Sequence, residues 1–192
     1  DCKDHAVLLY TMMSAVGIDA SLALVNLQQE VFADLPNTDQ FNHMIVTAPS
    51  DAGPVFIDTT DKDMRLGKLA PRSMAGNYAL VLGDNSELIK IPNYESELTG
   101  LNIERVVEPG EDGALRVTET ARFSGYQAAE FRGQLRTIET SDMQSSLQRW
   151  VAGRYSDAEL TDHFVENVFD ASYDLIIEIK YTLPLDPDGT FD

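Results

Sequence analysis

Apolar side chains recur over the first sixteen positions at helical spacing. Cys2, Ala6, Leu9, Met13 and Val16 stand four, three, four and three residues apart and form one stripe. Asp1 suits the N-cap, Asp4 favours the positive end of the dipole, and Gly17 provides a stop. A helix is therefore predicted over residues 2–16. The pattern then shortens to the period of a strand, with Leu22–Leu27 the first. Phe32–Gln40 breaks it with Asp34, Pro36, Asn37 and Asp39, the composition of a loop. Phe41–Thr47 and Pro54–Thr59 follow as a hairpin around Ala48-Pro49-Ser50-Asp51-Ala52-Gly53. After an irregular polar stretch over residues 60–73, Tyr78–Leu82 and Leu88–Ile91 form another strand pair, turning at Gly83-Asp84-Asn85.

Pro92-Asn93-Tyr94-Glu95-Ser96-Glu97 offers few core-forming side chains and a strand breaker. A domain boundary is expected there, giving domains 1–95 and 96–192. The second domain opens with a hairpin, Leu101–Val107 and Ala114–Phe123, turning through Glu108–Gly113. Helices are predicted at about Ala128–Arg136 and Ser141–Gly153, the latter anchored by Leu147, Trp150 and Val151. Strands follow at His163–Val168 and Tyr173–Leu183, and Pro187-Asp188-Gly189 is a turn. Helices alternating unevenly with antiparallel strands predict the α+β class, with a β-rich second domain holding one or two helices.

Charge changes this picture more than size does. Among 192 residues, fourteen basic side chains face thirty-two acidic ones, a formal charge of −18. Such a polyanion repels phosphate backbones, so no nucleic-acid partner is expected. No apolar run approaches the length of a membrane span, so no membrane insertion is expected in this segment. A single cysteine excludes an intramolecular disulfide and any multi-cysteine metal centre. The last 42 residues hold ten acidic and two basic side chains, read as a solvated surface. Arg105, Arg116, Arg122, Arg132 and Arg136 are expected to pair internally rather than form a patch. No phosphate-binding glycine loop is present, so no nucleotide cofactor is implied.

The lone Cys2 lies in the first turn of the predicted helix, where backbone N–H groups and the dipole stabilise a thiolate, the nucleophilic form. Burial as a small hydrophobe is the ordinary fate of a lone cysteine, but its position favours chemistry. A free thiol (pKa ~8.5) is mostly protonated at neutral pH, so a base is still needed. His5 lies one turn further along the helix, and His163 sits among acidic and aromatic neighbours, read as surface. His43 is the informative one. Alternation sets Phe41, His43 and Ile45 on one strand face. If the hairpin turn is centred between Ser50 and Asp51, His43 stands directly opposite Asp58 on that face; a register shift of two residues leaves them diagonal neighbours. With the helix packed on the sheet, Cys2, His43 and Asp58 supply nucleophile, general base and orienting carboxylate.

Asp1-Cys2-Lys3-Asp4-His5-Ala6, Phe41-Asn42-His43 and Phe56-Ile57-Asp58-Thr59-Thr60-Asp61-Lys62 together resemble the bacterial transglutaminase-like superfamily, a papain-related group. They match, in order, its Gly-Asp-Cys-x-Asp helix start, its histidine strand and its Asp-x-Thr strand. Gly76-Asn77-Tyr78-Ala79-Leu80-Val81-Leu82 and Ile91-Pro92 resemble the subgroup with flanking β-rich domains. The specific motifs cover about residues 1–95. The resemblance implies a catalytic half-domain carrying Cys2, His43 and Asp58, followed by a β-rich accessory domain. It further implies acyl transfer from peptide or glutamine amides, hydrolysis being favoured over cross-linking, with no cofactor and no metal. A peptide or protein would be the substrate, and an extracytoplasmic location would follow.

The family's helical half precedes the cysteine, whereas this sequence opens at Asp1. Residues 1–192 alone are therefore expected to lack an upstream oxyanion donor and cleft wall, and to be nearly inactive toward peptide amides. The alternative reading is a non-catalytic module binding peptide or polysaccharide, with a vestigial triad. Asp58, Asp61 and Asp63 lack the glycine and terminal glutamate of a calcium loop. Asp186-x-Asp188-Gly189 reads as a plain turn. Oligomeric state is not readable from the residues.

Overall fold

A computed structural model describes residues 1–35, 37–66, 73–93, 98–111 and 113–184. It is an α+β structure dividing into two compact units, Asp1–Leu98 and Thr99–Asp192.

The first unit begins with α1 (Cys2–Ala15), entered through a capping box in which the Asp1 side chain accepts the Asp4 N–H at 3.0 Å. Ala6 is buried and Cys2, Leu9 and Met13 are half-buried, so four of the five stripe residues face the protein. Val16 lies beyond the last turn and is exposed. Gly17 takes φ +78°, and the Ile18 N–H returns to the Met13 carbonyl at 2.9 Å, closing the helix end.

Residues 16–20 carry the chain back to β1 (Ser21–Val25), the centre of a five-stranded antiparallel sheet. Its other strands are β2 (His43–Ala48), β3 (Val55–Ile57), β4 (Tyr78–Val81) and β5 (Glu87–Lys90), in the order β3-β2-β1-β4-β5. α1 packs mainly on β2, and also on β1. Ala23, Val25, Ile45, Phe56 and Ala79 join Met74 and Ile91 in the apolar core. The register sets Val25 opposite His43 and Ala23 opposite Ile45, so His43 belongs to this core-facing row.

The first strand is shorter than its apolar run suggests because Asn26 turns the chain. Its Oδ1 accepts the N–H groups of Gln28 and Gln29, both at 2.8 Å. Phe41 and Asn42 likewise precede β2 rather than open it.

The second unit pairs β6 (Gly100–Pro109), β7 (Leu115–Ser124), β8 (Glu159–Glu166) and β9 (Leu175–Leu183) in the antiparallel order β6-β7-β9-β8. Alternate residues of β7 and β9, among them Val117, Ala121, Phe123, Ile177, Ile179 and Tyr181, are buried. They pack with Leu135 of α2 (Gly125–Leu135) and with Leu147 and Val151 of α3 (Met143–Ala152). Each such aliphatic side chain contributes roughly 1.5–3 kcal/mol when fully buried.

β8 begins four residues earlier than its pattern predicts. The Gln148 side chain on α3 explains it, accepting the Leu160 N–H at 2.7 Å and donating to the Ala158 carbonyl at 2.9 Å. Among the described residues, no helix is long and apolar enough to cross a membrane.

Candidate active site

The hairpin β2–β3 sets the candidate site. Its turn is closed by reciprocal bonds, Ser50 N–H to the Gly53 carbonyl at 3.1 Å and Gly53 N–H to the Ser50 carbonyl at 3.0 Å. Gly53 adopts φ +106°, open to glycine without strain, and the Ser50 hydroxyl donates to the Gly53 carbonyl at 2.6 Å. The turn is thus centred between Asp51 and Ala52, one residue later than the sequence suggested. The strands pair as Val46↔Ile57, Thr47↔Phe56 and Ala48↔Val55.

Continuing that register sets Ile45 opposite Asp58, so His43 is a diagonal neighbour of Asp58 rather than its direct partner. A shift of two residues preserves the face. The two side chains still meet: His43 Nε2 lies 3.0 Å from Asp58 Oδ2, with side-chain exposures of only 8% and 6%.

The carboxylate is fixed at its other oxygen too. Asp58 Oδ1 accepts the Thr60 N–H at 2.9 Å and the Thr60 hydroxyl at 2.6 Å. A charged acceptor bonded at both oxygens has little freedom to rotate away from the imidazole. Strand entry is anchored as well, because the Asn42 N–H donates to the Val25 carbonyl and its Oδ1 accepts the Leu27 N–H, each at 3.0 Å. Sequence reasoning assigned no role to Thr60 or Asn42. An Asx turn of the form Asp-x-Thr is the local signal that finds Thr60; the Asn42 bonds are non-local and have none.

Because Nε2 is committed to Asp58, Nδ1 is the imidazole nitrogen left for proton transfer. Among the described residues it has no hydrogen-bond partner. Cys2 is a free, half-buried thiol in the first turn of α1. The short connection from α1 to β1 makes the helix return along the sheet. α1 packs mainly on β2, the strand that carries His43, and also on β1. No hydrogen bond joins the Cys2 thiol to His43 in this state.

The other sequence candidates separate from this group. His5 is exposed on α1, and His163 is half-buried on β8 opposite Ile179. Asp61 carries a carboxyl raised above its ordinary 3.8. Burial is the main cause, opposed by backbone N–H groups of Asp63 and Met64 and reinforced by the charges of Asp58 and Asp63. Among the described residues, no cluster of three or more His, Cys, Asp or Glu is arranged to hold a metal. Asp186, Asp188 and Gly189 lie outside the described residues.

Four of the five arginines named from the sequence find different partners. Arg105 binds Glu119, and Arg122 approaches Asp174 at 3.9 Å. Arg132 donates to the carbonyls of Asn167 and Tyr173, and Arg136 to that of Val168. The acidic groups of the second unit are not all solvated. Glu119 is completely buried beneath Arg105 and Arg154, because on β7 it shares the face of the core residues Val117 and Ala121, two positions to either side.

Compared with family models, curated proteins and solved structures, the chain matches none.

Proposed function

We propose that the chain is the catalytic half of a transglutaminase-like cysteine acyl-transfer enzyme followed by a β-rich accessory domain. The observation that carries this reading is the buried His43–Asp58 bond through Nε2 and Oδ2, with Nδ1 left over on β2, the strand against which the Cys2 helix mainly packs. In the proposed reaction His43 Nδ1 takes the Cys2 proton, and the thiolate attacks the carbonyl carbon of a peptide or glutamine amide. The resulting imidazolium protonates the departing amine, leaving a thioester on Cys2. His43 then accepts a proton from water, and the attacking hydroxide oxygen displaces the thiolate to give a carboxylic acid. Asp58 holds the imidazole in one orientation and stabilises its charged form, and Thr60 holds Asp58.

Hydrolysis is favoured over transfer to a second amine, making the activity that of a peptidase or amidase. The experiment is release of ammonia from a glutamine-containing peptide by the protein, beside its Cys2→Ala variant. Loss of release in the variant is expected. Release that survives it would move the nucleophile elsewhere.

A further inference from the structure

The two edge strands of the second sheet are unlike. β8 shifts register against β9 between Leu160 and Asp162, a break of the kind that spoils an edge for further pairing. β6 pairs with β7 over its whole length with no such break, and residues 101–109 are exposed without exception. Alternate residues of an antiparallel edge strand point their N–H and C=O groups outward. Among the described residues, no hydrogen bond reaches those of β6.

One side-chain row of this strand is unfinished as well. Leu101, Ile103, Arg105 and Val107 stand opposite Phe123, Ala121, Glu119 and Val117, all buried. The three apolar members of the β6 row are nevertheless between 39% and 52% exposed. Between them lies a surplus of positive charge, because the single carboxylate of Glu119 is bound by both Arg105 and Arg154. Arg105 spends only Nε on that bond. Its two Nη groups, on a partly exposed side chain, have no partner among the described residues.

The chemistry of these groups specifies what closes the edge. The open backbone takes an extended strand, and the Arg105 fork takes a carboxylate. Ile103 and Val107 take apolar side chains two positions to either side of that carboxylate. A second copy does not supply this pattern. Paired antiparallel, edge to edge, another β6 offers the row only Leu101, Ile103, Arg105, Val107 and Pro109, none of them acidic. Two chains of charge −18 also repel each other.

We propose that β6 is a docking edge for an extended segment of another protein, one that sets a glutamate or aspartate against Arg105 and an apolar residue two positions to each side of it. This holds whatever the first unit catalyses. The probe is acetyl-Thr-Val-Thr-Glu-Thr-Val-Thr-amide, titrated into the whole chain and followed through the backbone amide resonances of β6. One control peptide carries Lys in place of Glu. A second is N-methylated at alternate residues, so that it cannot pair as a strand.

The Glu peptide is expected to shift the β6 amides, to slow their hydrogen exchange, and to bind about ten-fold more tightly than the Lys peptide. That preference should shrink in about 0.5 M salt. Arg105→Gln should abolish it. Because that change also touches buried Glu119, Val107→Ser, at an exposed position, is the second variant. It should weaken the Glu peptide about three-fold and leave the unfolding temperature unchanged. Equal binding of the Glu and Lys peptides overturns the proposal, as does full affinity in the N-methylated peptide or in Val107→Ser. Binding that leaves the β6 amides unmoved overturns it too. So does a concentration-dependent dimer that protects those amides before any peptide is added, since a second copy would then close the edge.

Discussion

Each unit buries a carboxylate against a cationic or potentially cationic side chain, and the two arrangements differ in what they leave over. In the first unit Asp58 gives one oxygen to an imidazole and the other to Thr60, and the imidazole retains a second nitrogen. In the second unit Glu119 is enclosed by two guanidinium groups. Arg154 Nη1 lies 2.9 and 3.2 Å from its two oxygens, and Arg105 binds from β6.

Guanidinium never gives up its proton near neutral pH, so the Glu119 cluster can hold strands and helix together but cannot shuttle protons. Glu119 raises Arg105 further toward its charged form, chiefly through their hydrogen bond. Burial pushes the nearby Tyr181 hydroxyl up, with a further contribution from Glu119. Arg154 also stacks over Trp150 at 4.2 Å, a packing role again. A buried ion pair is therefore no marker of an active site. The marker is a titratable partner with one hydrogen-bonding position unspent.

That contrast can be broken most severely at Asp58. Asp58→Asn keeps the shape but loses the charge that orients and stabilises the imidazolium, and Cys2 acylation should slow by about 10²–10⁴-fold. Rapid-quench mass spectrometry of the Cys2 adduct reads this directly. An unchanged rate would reduce Asp58 to the structural role of Glu119.

In the second unit, Glu119→Ala leaves Arg105 and Arg154 facing each other without a counter-charge. A loss of about 3 kcal/mol in stability is expected, at the low end for a broken buried pair because Arg105 is partly exposed. The single Trp150 follows unfolding of this unit by fluorescence.

Thr60→Val keeps the volume and removes the hydroxyl that holds Asp58 Oδ1. It should cost about 1 kcal/mol and slow acylation by about ten-fold or less. The Asp58→Asn background separates the two effects: there, loss of Thr60 should slow acylation little further. A full additional slowing would mean Thr60 does not act through Asp58.

The smallest effect belongs to Asp61. Its carboxyl is raised, mainly by burial, so the folded state holds that proton more tightly than the unfolded chain does. The resulting stabilisation is complete below the unfolded value and is lost as pH rises through the folded one. Asp61→Asn preserves the Oδ1 that accepts the Asp63 N–H at 3.1 Å, and should raise the urea midpoint of the first unit at pH 7. The gain should fade toward pH 3.5.

The helix stripe was legible because a local period encodes it, and Asp1, Asp4 and Gly17 punctuate it locally. The pairing of His43 with Asp58 was legible in face but not in register. Serine and glycine at 50 and 53 close the turn through bonds to each other, which moves its centre without altering the alternation. Other features depend on partners far along the chain. Thr99 accepts the N–H groups of Tyr126 and Gln127, so α2 starts near Gly125 rather than at Ala128. Gln148 sets the start of β8 in the same way. The burial of Glu119 was not legible because in sequence an acidic residue at a core position is indistinguishable from a solvated one until Arg105 and Arg154 converge on it.

The central claim, that Cys2 and His43 act as one group, is tested most directly by acylating the thiol with p-nitrophenyl acetate at pH 6.5. The acetyl group transfers to Cys2 with release of p-nitrophenol, a step that needs no cleft complementary to a peptide. The account predicts that His43→Ala slows this transfer by about 10²-fold or more, as removal of a general base does, and that His5→Ala leaves it unchanged. Equal rates in the wild-type and His43→Ala chains would contradict it.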